Sequence, residues 1–416
     1  MSHTAVLSLS GGHAPVDHST PPQPKSHLRA LDGYRGIAAL AVVVYHSYQY
    51  AVVGNPGLFP SNTVALQLLH GLDGAVDLFF VLSAFLLTIP FAKAVLTGRN
   101  GPSTRAFAVR RAARILPLYL MATILVWAWR NPSLPGDWID LLTHLTFTQV
   151  FDDQRIFWTI GPAWSLAVEV HFYITLALLG AALAALSRRL PQRARLPLLL
   201  GSVAGLFAAS VAWKAMAWYV LEVPGDKWSV WFTLPAKLDV FALGMLLAVI
   251  HASGPNQLST GWANLTRWTG AAIVLGAVVL RSEEAEHLWF HTIAAVGFAL
   301  ILAAAVLGPG SALERGLDSV LPATLGVISY SLYLWHEPLM LLLANAGIIP
   351  AAGAGSVFWP TLLVLVPASV ALAWISYHAI EVPGNYLRRL VNSDGTTHDY
   401  YAERSIPMRP VTEPTA

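Results

Sequence analysis

Cysteine is absent from the 416 residues. Its absence excludes disulfides, thiolate catalysis and Cys-ligated metals, but says little about compartment, because bilayer proteins rarely depend on disulfides. Charge is scarce too: Asp, Glu, Lys and Arg supply 12% of the chain, about half the share found in ordinary soluble domains. A soluble protein of this length would bury a large core and then lack the charge to keep its surface dissolved. The net charge is only +2, and the basic residues form no continuous patch, so no nucleic-acid partner is indicated. Hydrophobic residues, in contrast, make up 55% of the sequence and the mean hydropathy is +0.56. These values predict an integral membrane protein whose solvent is the lipid bilayer.

Apolar runs occur at about 35–53, 75–97, 114–130, 161–187, 196–221, 230–251, 266–280, 288–308, 321–346 and 357–381. Most approach the roughly 20 residues needed to cross about 30 Å of hydrocarbon. The expected fold is therefore an all-α polytopic bundle of about ten transmembrane helices. The run at 266–280 is short, and 137–150 reads as an amphipathic re-entrant or interfacial helix. Residues 1–27 lack the basic start and apolar core of a signal peptide and read as a disordered tail, as do 391–416. The membrane body then spans 28–390, without internal repeats or a second water-soluble domain.

Lys and Arg accumulate on the cytoplasmic side of membrane proteins. With the N-terminus inside, nineteen fall in inner segments, while only Arg130, Arg155, Lys227 and Arg281 fall outside. This asymmetry supports the helix map and places both termini in the cytoplasm of a cell-membrane protein.

Within that frame, the first run, "LDGYRGIAALAVVVYHSYQY", carries Arg35 and His46. Eleven helical steps turn about 1100°, three turns plus about 20°, and rise about 16 Å. The two residues share a face, with Arg35 at the cytoplasmic interface beside Asp32 and His46 near mid-depth. An ionisable group at that depth is costly and marks a functional cavity; the competing reading is a neutral histidine bonded between helices. "GPAWSLAVEVHFY" puts Ser165 one turn before Glu169, again near mid-depth, with His171 turned elsewhere. "GLDGAVDLFFVLSAF" places Asp73 and Asp77 on one face with Ser83 deeper, "ISYSLYLWHEP" holds Tyr330, Tyr333 and His336, and "AKLDVFALGM" holds Lys237 and Asp239. Each of these groups is a candidate for the cavity and, equally, for interhelical glue or an aromatic belt. In "VRRAARILPLYL", Arg110, Arg111 and Arg114 would aim guanidinium forks, which suit phosphates, at the mouth of the bundle; fixing topology is the alternative role. "HEPLM" lacks the second histidine of a zinc-protease motif because position 340 is Met340, so no metal site is expected.

Six of these segments, "LDGYRGIAALAVVVYH", "VDLFFVLSAFLL", "RRAARILPLY", "PAWSLAVEVHFY", "FALGMLLA" and "YSLYLWHEP", in this order and spacing resemble the acyltransferase-3 family of membrane O-acyltransferases across about residues 28 to 390. The resemblance implies transfer of an acyl group, commonly acetyl, from acyl-coenzyme A to a hydroxyl, usually on a sugar, with no tightly bound cofactor. In the family's arginine-ten-residues-histidine pattern, His46 looks like the catalytic histidine. Ala84 stands where the family usually has glycine. No esterase-like domain follows the membrane body, which leaves open the side on which the acceptor is modified.

The implied chemistry uses His46 as general base for an acceptor alcohol, Glu169 as the carboxylate that orients it, and Arg35, Arg110, Arg111 and Arg114 as holders of coenzyme A phosphates. Asp77, Ser83, Ser165, Tyr330 and His336 are the expected substrate-binding residues. The acceptor is a hydroxyl-bearing glycan or a glycosylated small molecule, and both direct transfer and an acyl-enzyme remain open. A secondary transporter is the rival class, since it too would bury charge at mid-depth.

Overall fold

A computed structural model describes residues 30–53, 64–254, 257–282, 284, 286–353 and 357–384. The expected tails at 1–27 and 391–416 lie outside the described residues. Those residues form helices and no strand: α1 (Ala30–Val52), α2 (Val64–His70), α3 (Ala75–Thr97), α4 (Thr104–Arg130), α5 (Trp138–Leu145), α6 (Ala163–Ser187), α7 (Gln192–Ala215), α8 (Trp228–Trp231), α9 (Leu234–Ala252), α10 (Thr260–Val279), α11 (His291–Leu307), α12 (Ala312–Leu317), α13 (Val320–Val327), α14 (Ser329–Asn345) and α15 (Phe358–Ser376).

Among the described residues, seven helical stretches are long and apolar enough to cross a membrane, and an eighth is formed if α13 and α14, bent by 70° at their junction, count as one span. The expected ten is thus approximate. The two expected spans that fall short are α1 and α10, whose apolar windows are diluted by Arg35 and His46 in one and by Asn264 and Arg267 in the other. Both are nonetheless packed among the apolar helices, α1 against α13, α3 and α14, and α10 against α11.

The centre of the bundle is α3, which packs on α9, α6, α1, α11 and α7. A helix contacted on all sides must be apolar all round, and most of α3, including Val81, Ala84 and Phe85, is buried. Its approach to α9 is close enough that a methyl group on Gly244 would lie 2.3 Å from the Val81 carbonyl and 2.8 Å from Ala84 Cβ. The methyl of Ala84 is therefore accommodated by the glycine facing it.

The amphipathic run at 137–150 folds as the short α5, capped by the Asp137 side chain accepting from Asp140 N–H. Its amphipathicity is inverted relative to a soluble helix. Asp140 and His144 are fully buried and paired at 3.1 Å, while Trp138, Ile139 and Leu142 are exposed. An apolar outward face suits a lipid interface.

Candidate active site

Between α1, α3, α4, α6 and α14 lies a cavity enclosing about 750 Å³ including its mouth. Arg35, Arg111 and Arg114 line it toward the end where α1 and α4 begin, and Ser83, Ser165, Glu169, Tyr173, Tyr330 and Tyr333 line its depth. The cationic wall follows from helix geometry: Arg111 and Arg114, three residues apart, share a face of α4. Glu169 accepts a 2.5 Å hydrogen bond from Ser83 Oγ, and interacts electrostatically, with Arg111, around the Tyr173 hydroxyl. The buried Nε atoms of Arg35 and Arg111 make no hydrogen bond. Arg111 as a whole has no hydrogen bond or ion pair among the described residues, a costly arrangement for a guanidinium in an apolar bundle unless an anion completes it.

The segment "SYSLYLWHEP" is tied down residue by residue. Tyr330 donates to the Ile115 carbonyl (2.9 Å), Ser331 to Glu381, and Trp335 Nε1 to Ser376 (3.0 Å). Tyr333 hydrogen-bonds the Pro162 carbonyl (3.0 Å) and Ser165 Oγ (2.7 Å), and Glu337 accepts the Gly161 N–H at 2.7 Å. These ties hold α14 between α4, α6 and α15. His336, fully buried, is left to face α1, where its Nε2 lies 3.1 Å from His46 Nδ1. His46 Nδ1 also lies 3.0 Å from the Val42 carbonyl, while its Nε2 makes no hydrogen bond among the described residues. The two histidines sit beside the cavity rather than on its wall. Tyr333, which does line the wall, packs its ring 5.9 Å from that of His336 and 5.8 Å from that of Phe79.

The structure thus gathers Arg35, Arg111, Arg114, Ser83, Ser165, Glu169 and Tyr330 around one cavity, but not Arg110. Three further expectations need correction. Glu169 does not meet His46: its partner is Ser83, and the place beside the His46 ring is taken by His336, because α14 rather than α6 faces that turn of α1. His336, expected on the substrate, is instead fully buried against a protein group. Asp77 leaves the cavity, since its neighbours Val76 and Phe79 face it while its own carboxylate turns to His291 at 2.7 Å.

Glu337, Glu381 and His291 were not singled out from the sequence. The signal for the two glutamates was their position inside apolar runs; Glu381 interacts electrostatically with Arg114 and Arg35 near the cavity mouth. His291 stands at the head of its run and carries no such signal.

A family model for an acyltransferase domain matches residues 28–378. The chain belongs to the acyltransferase-3 family. Relatives in the family include the provisionally named peptidoglycan O-acetyltransferase YrhL of Bacillus subtilis, 28% identical over 381 residues covering 86% of this chain and 55% of the relative. The exopolysaccharide production protein ExoZ of Rhizobium meliloti is 27% identical over 317 residues, 74% of this chain and 88% of its own length. The provisionally named membrane-bound transacylase BcsY of Komagataeibacter xylinus is 26% identical, with 76% of this chain and 73% of the relative covered. The chain therefore spans just over half of the Bacillus protein but most of the other two. No solved structure matches it. Acyltransferase-3 membership and the apolar helices are together consistent with a multi-pass membrane protein.

Proposed function

We propose that this chain transfers an acyl group, acetyl or another short acyl, from acyl-coenzyme A to a hydroxyl of a saccharide or glycosylated metabolite, with His46 as general base. The observation that carries the reading is the pairing of an arginine-lined cavity, one of whose guanidiniums has no hydrogen bond or ion pair among the described residues, with a histidine held through Nδ1 and open at Nε2. Arg35, Arg111 and Arg114 would hold the donor's phosphates, with Arg110 outside the cavity adding charge near its mouth, and the pantetheine arm would run toward the histidines. The peptidoglycan and exopolysaccharide in the names of relatives favour a cell-envelope saccharide as acceptor. The charge asymmetry favours a donor arriving from the cytoplasm, where both termini would lie.

In the proposed step the acceptor oxygen attacks the thioester carbonyl carbon while its proton passes to His46 Nε2. The C–S bond then breaks, and the departing thiolate takes that proton as coenzyme A leaves. No enzyme nucleophile and no redox partner are required. Ser83, Ser165 and Tyr330 supply hydroxyls along the cavity, and Glu169, bonded to Ser83, counters the arginine charge.

His46→Gln keeps polar size but cannot take up a proton near neutral pH. Acyl transfer per folded molecule should fall by about 10² to 10⁴, the usual yield of general-base catalysis, with thermal stability unchanged. Near-native turnover would remove His46 from the chemistry. Solute flux in sealed vesicles without acyl transfer in detergent would favour the transporter instead.

A further inference from the structure

Hydrogen bonds around the two histidines admit one assignment of protons when both rings are neutral. A backbone carbonyl only accepts, so the contact of His46 Nδ1 with the Val42 carbonyl at 3.0 Å requires hydrogen on Nδ1. The contact of His336 Nδ1 with the Leu332 carbonyl at 3.3 Å likewise places that ring's hydrogen on Nδ1. A neutral imidazole carries one N–H, so His336 Nε2 is a lone pair. It faces His46 Nδ1 at 3.1 Å, and the His46 hydrogen is shared between Val42 and His336. The remaining nitrogen, His46 Nε2, is then the lone pair that a base requires.

We propose that His336 is a positioning residue for the acyl transfer: by accepting from His46 Nδ1 it fixes the tautomer and ring orientation that leave Nε2 as the base. The proposal rests on the reading of His46 as general base. Its physical content is that the tautomer is wired into the fold. His336 is fully buried and is not among the residues lining the cavity, and its helix is held on either side of it by Trp335 on Ser376 and Glu337 on Gly161. When His46 takes the acceptor's proton on Nε2, neither Nδ1 hydrogen has to move. The hydrogen bond to His336 then has a charged donor and strengthens at the moment the imidazolium forms. A second imidazole suits this place because its Nε2 accepts without adding a charge to an apolar interior.

The test is a set of single and double variants, assayed for acyl transfer with varied acetyl-coenzyme A and normalised to folded protein. His336→Gln, whose side-chain oxygen can reach the place of Nε2, should retain activity within about tenfold. His336→Leu, which fills space but accepts nothing, should lose about tenfold to a hundredfold in kcat, the scale of one hydrogen bond to a charged group, with KM for acetyl-coenzyme A unchanged. In the His46→Gln background, His336→Leu should cost nothing further, because its effect passes through His46. Equal kcat for the Gln and Leu variants, or an undiminished Leu effect in the His46→Gln background, overturns the positioning role and leaves a packing residue. If His46→Gln itself is active, the general-base reading has failed instead. If His336→Leu does not fold, the comparison of His336→Gln with His336→Asn, whose shorter amide falls short of His46, carries the test. Equal kcat for those two also overturns the role.

Discussion

The cluster between α7, α9 and α11 buries a lysine, and the cavity between α1, α4 and α14 holds half-buried arginines, in a chain with little charge. In the first, Lys214 Nζ reaches Asp239 at 2.5 Å and Thr292 at 2.7 Å, and Ser210 and Thr292 fill the remaining acceptor positions on the carboxylate. Every charge there is answered by a protein group. In the second, Arg111 has no hydrogen bond or ion pair among the described residues, and its Nε is buried without a bond. Buried charge that is fully satisfied holds helices together, whereas a half-buried cation with a buried donor left unbonded marks where a ligand can complete it. By sequence alone the two regions look equally expensive.

The largest expected effect would come from opening the closed cluster. Asp239→Ala strands the Lys214 ammonium and should cost about 3–5 kcal/mol, read as loss of folded protein or a lower melting temperature in detergent. The double variant Lys214→Met/Asp239→Leu removes both charges and should recover most of that loss. Failure to recover would mean that the pair does more than join helices.

In the cavity the opposite pattern is expected. Arg111→Met removes a charge that no hydrogen bond or ion pair holds among the described residues, so stability should hold or rise while acyl-coenzyme A binding weakens by roughly 1.5–3 kcal/mol, or about tenfold to a hundredfold in Kd. Isothermal titration with a non-hydrolysable analogue measures this directly. A drop in melting temperature with unchanged binding would erase the contrast between the regions.

Glu337 is an intermediate case, a half-buried carboxylate answered by the Gly161 N–H. A methyl group on Gly161 would lie 2.6 Å from both Glu337 carboxylate oxygens, so Gly161→Ala should destabilise by about 1–3 kcal/mol through overpacking. The same variant should lower kcat, since the tie holds the helix that carries His336. Thermal melts and turnover on one preparation check both.

The smallest effect belongs to the loops. Burial alone would raise the Asp153 carboxyl, but the Ser229 N–H, Lys227 and the Ser229 hydroxyl together hold it below the ordinary value. A carboxyl held low in the folded state contributes stability that is fully present above its unfolded value, about 3.9, and is lost as pH falls through the folded one. The wild type should exceed Asp153→Asn by less than about 1 kcal/mol at neutral pH, as for a surface ion pair. The difference should shrink below pH 4 in melts followed from pH 7 to 3.

His46, Ser83, Ser165, Glu169 and Tyr330 were legible as candidates because each is a polar group inside an apolar run, a cost that shows in one dimension, and Arg35, Arg111 and Arg114 because they are guanidiniums at the mouths of such runs. The partners were not legible. Asp77 and Glu169 are both carboxylates within apolar runs on adjoining helices, yet one faces His291 and the other Ser83. Helical spacing gives the angle between residues of one helix, but not the rotation of that helix against its neighbours.

The sequence by itself determined that this chain is a helical membrane protein of the acyltransferase-3 family, since composition, run length and motif order are properties read along the chain. It also determined that Arg35 and His46 share a face, because eleven steps of an α-helix leave little choice. Tertiary structure alone decided that His336, 290 residues away in sequence, rather than Glu169, stands beside His46. That choice depends on the 70° bend before α14 and on the Gly161 contact that sets its position, and both arise only when separate helices compete for the same space.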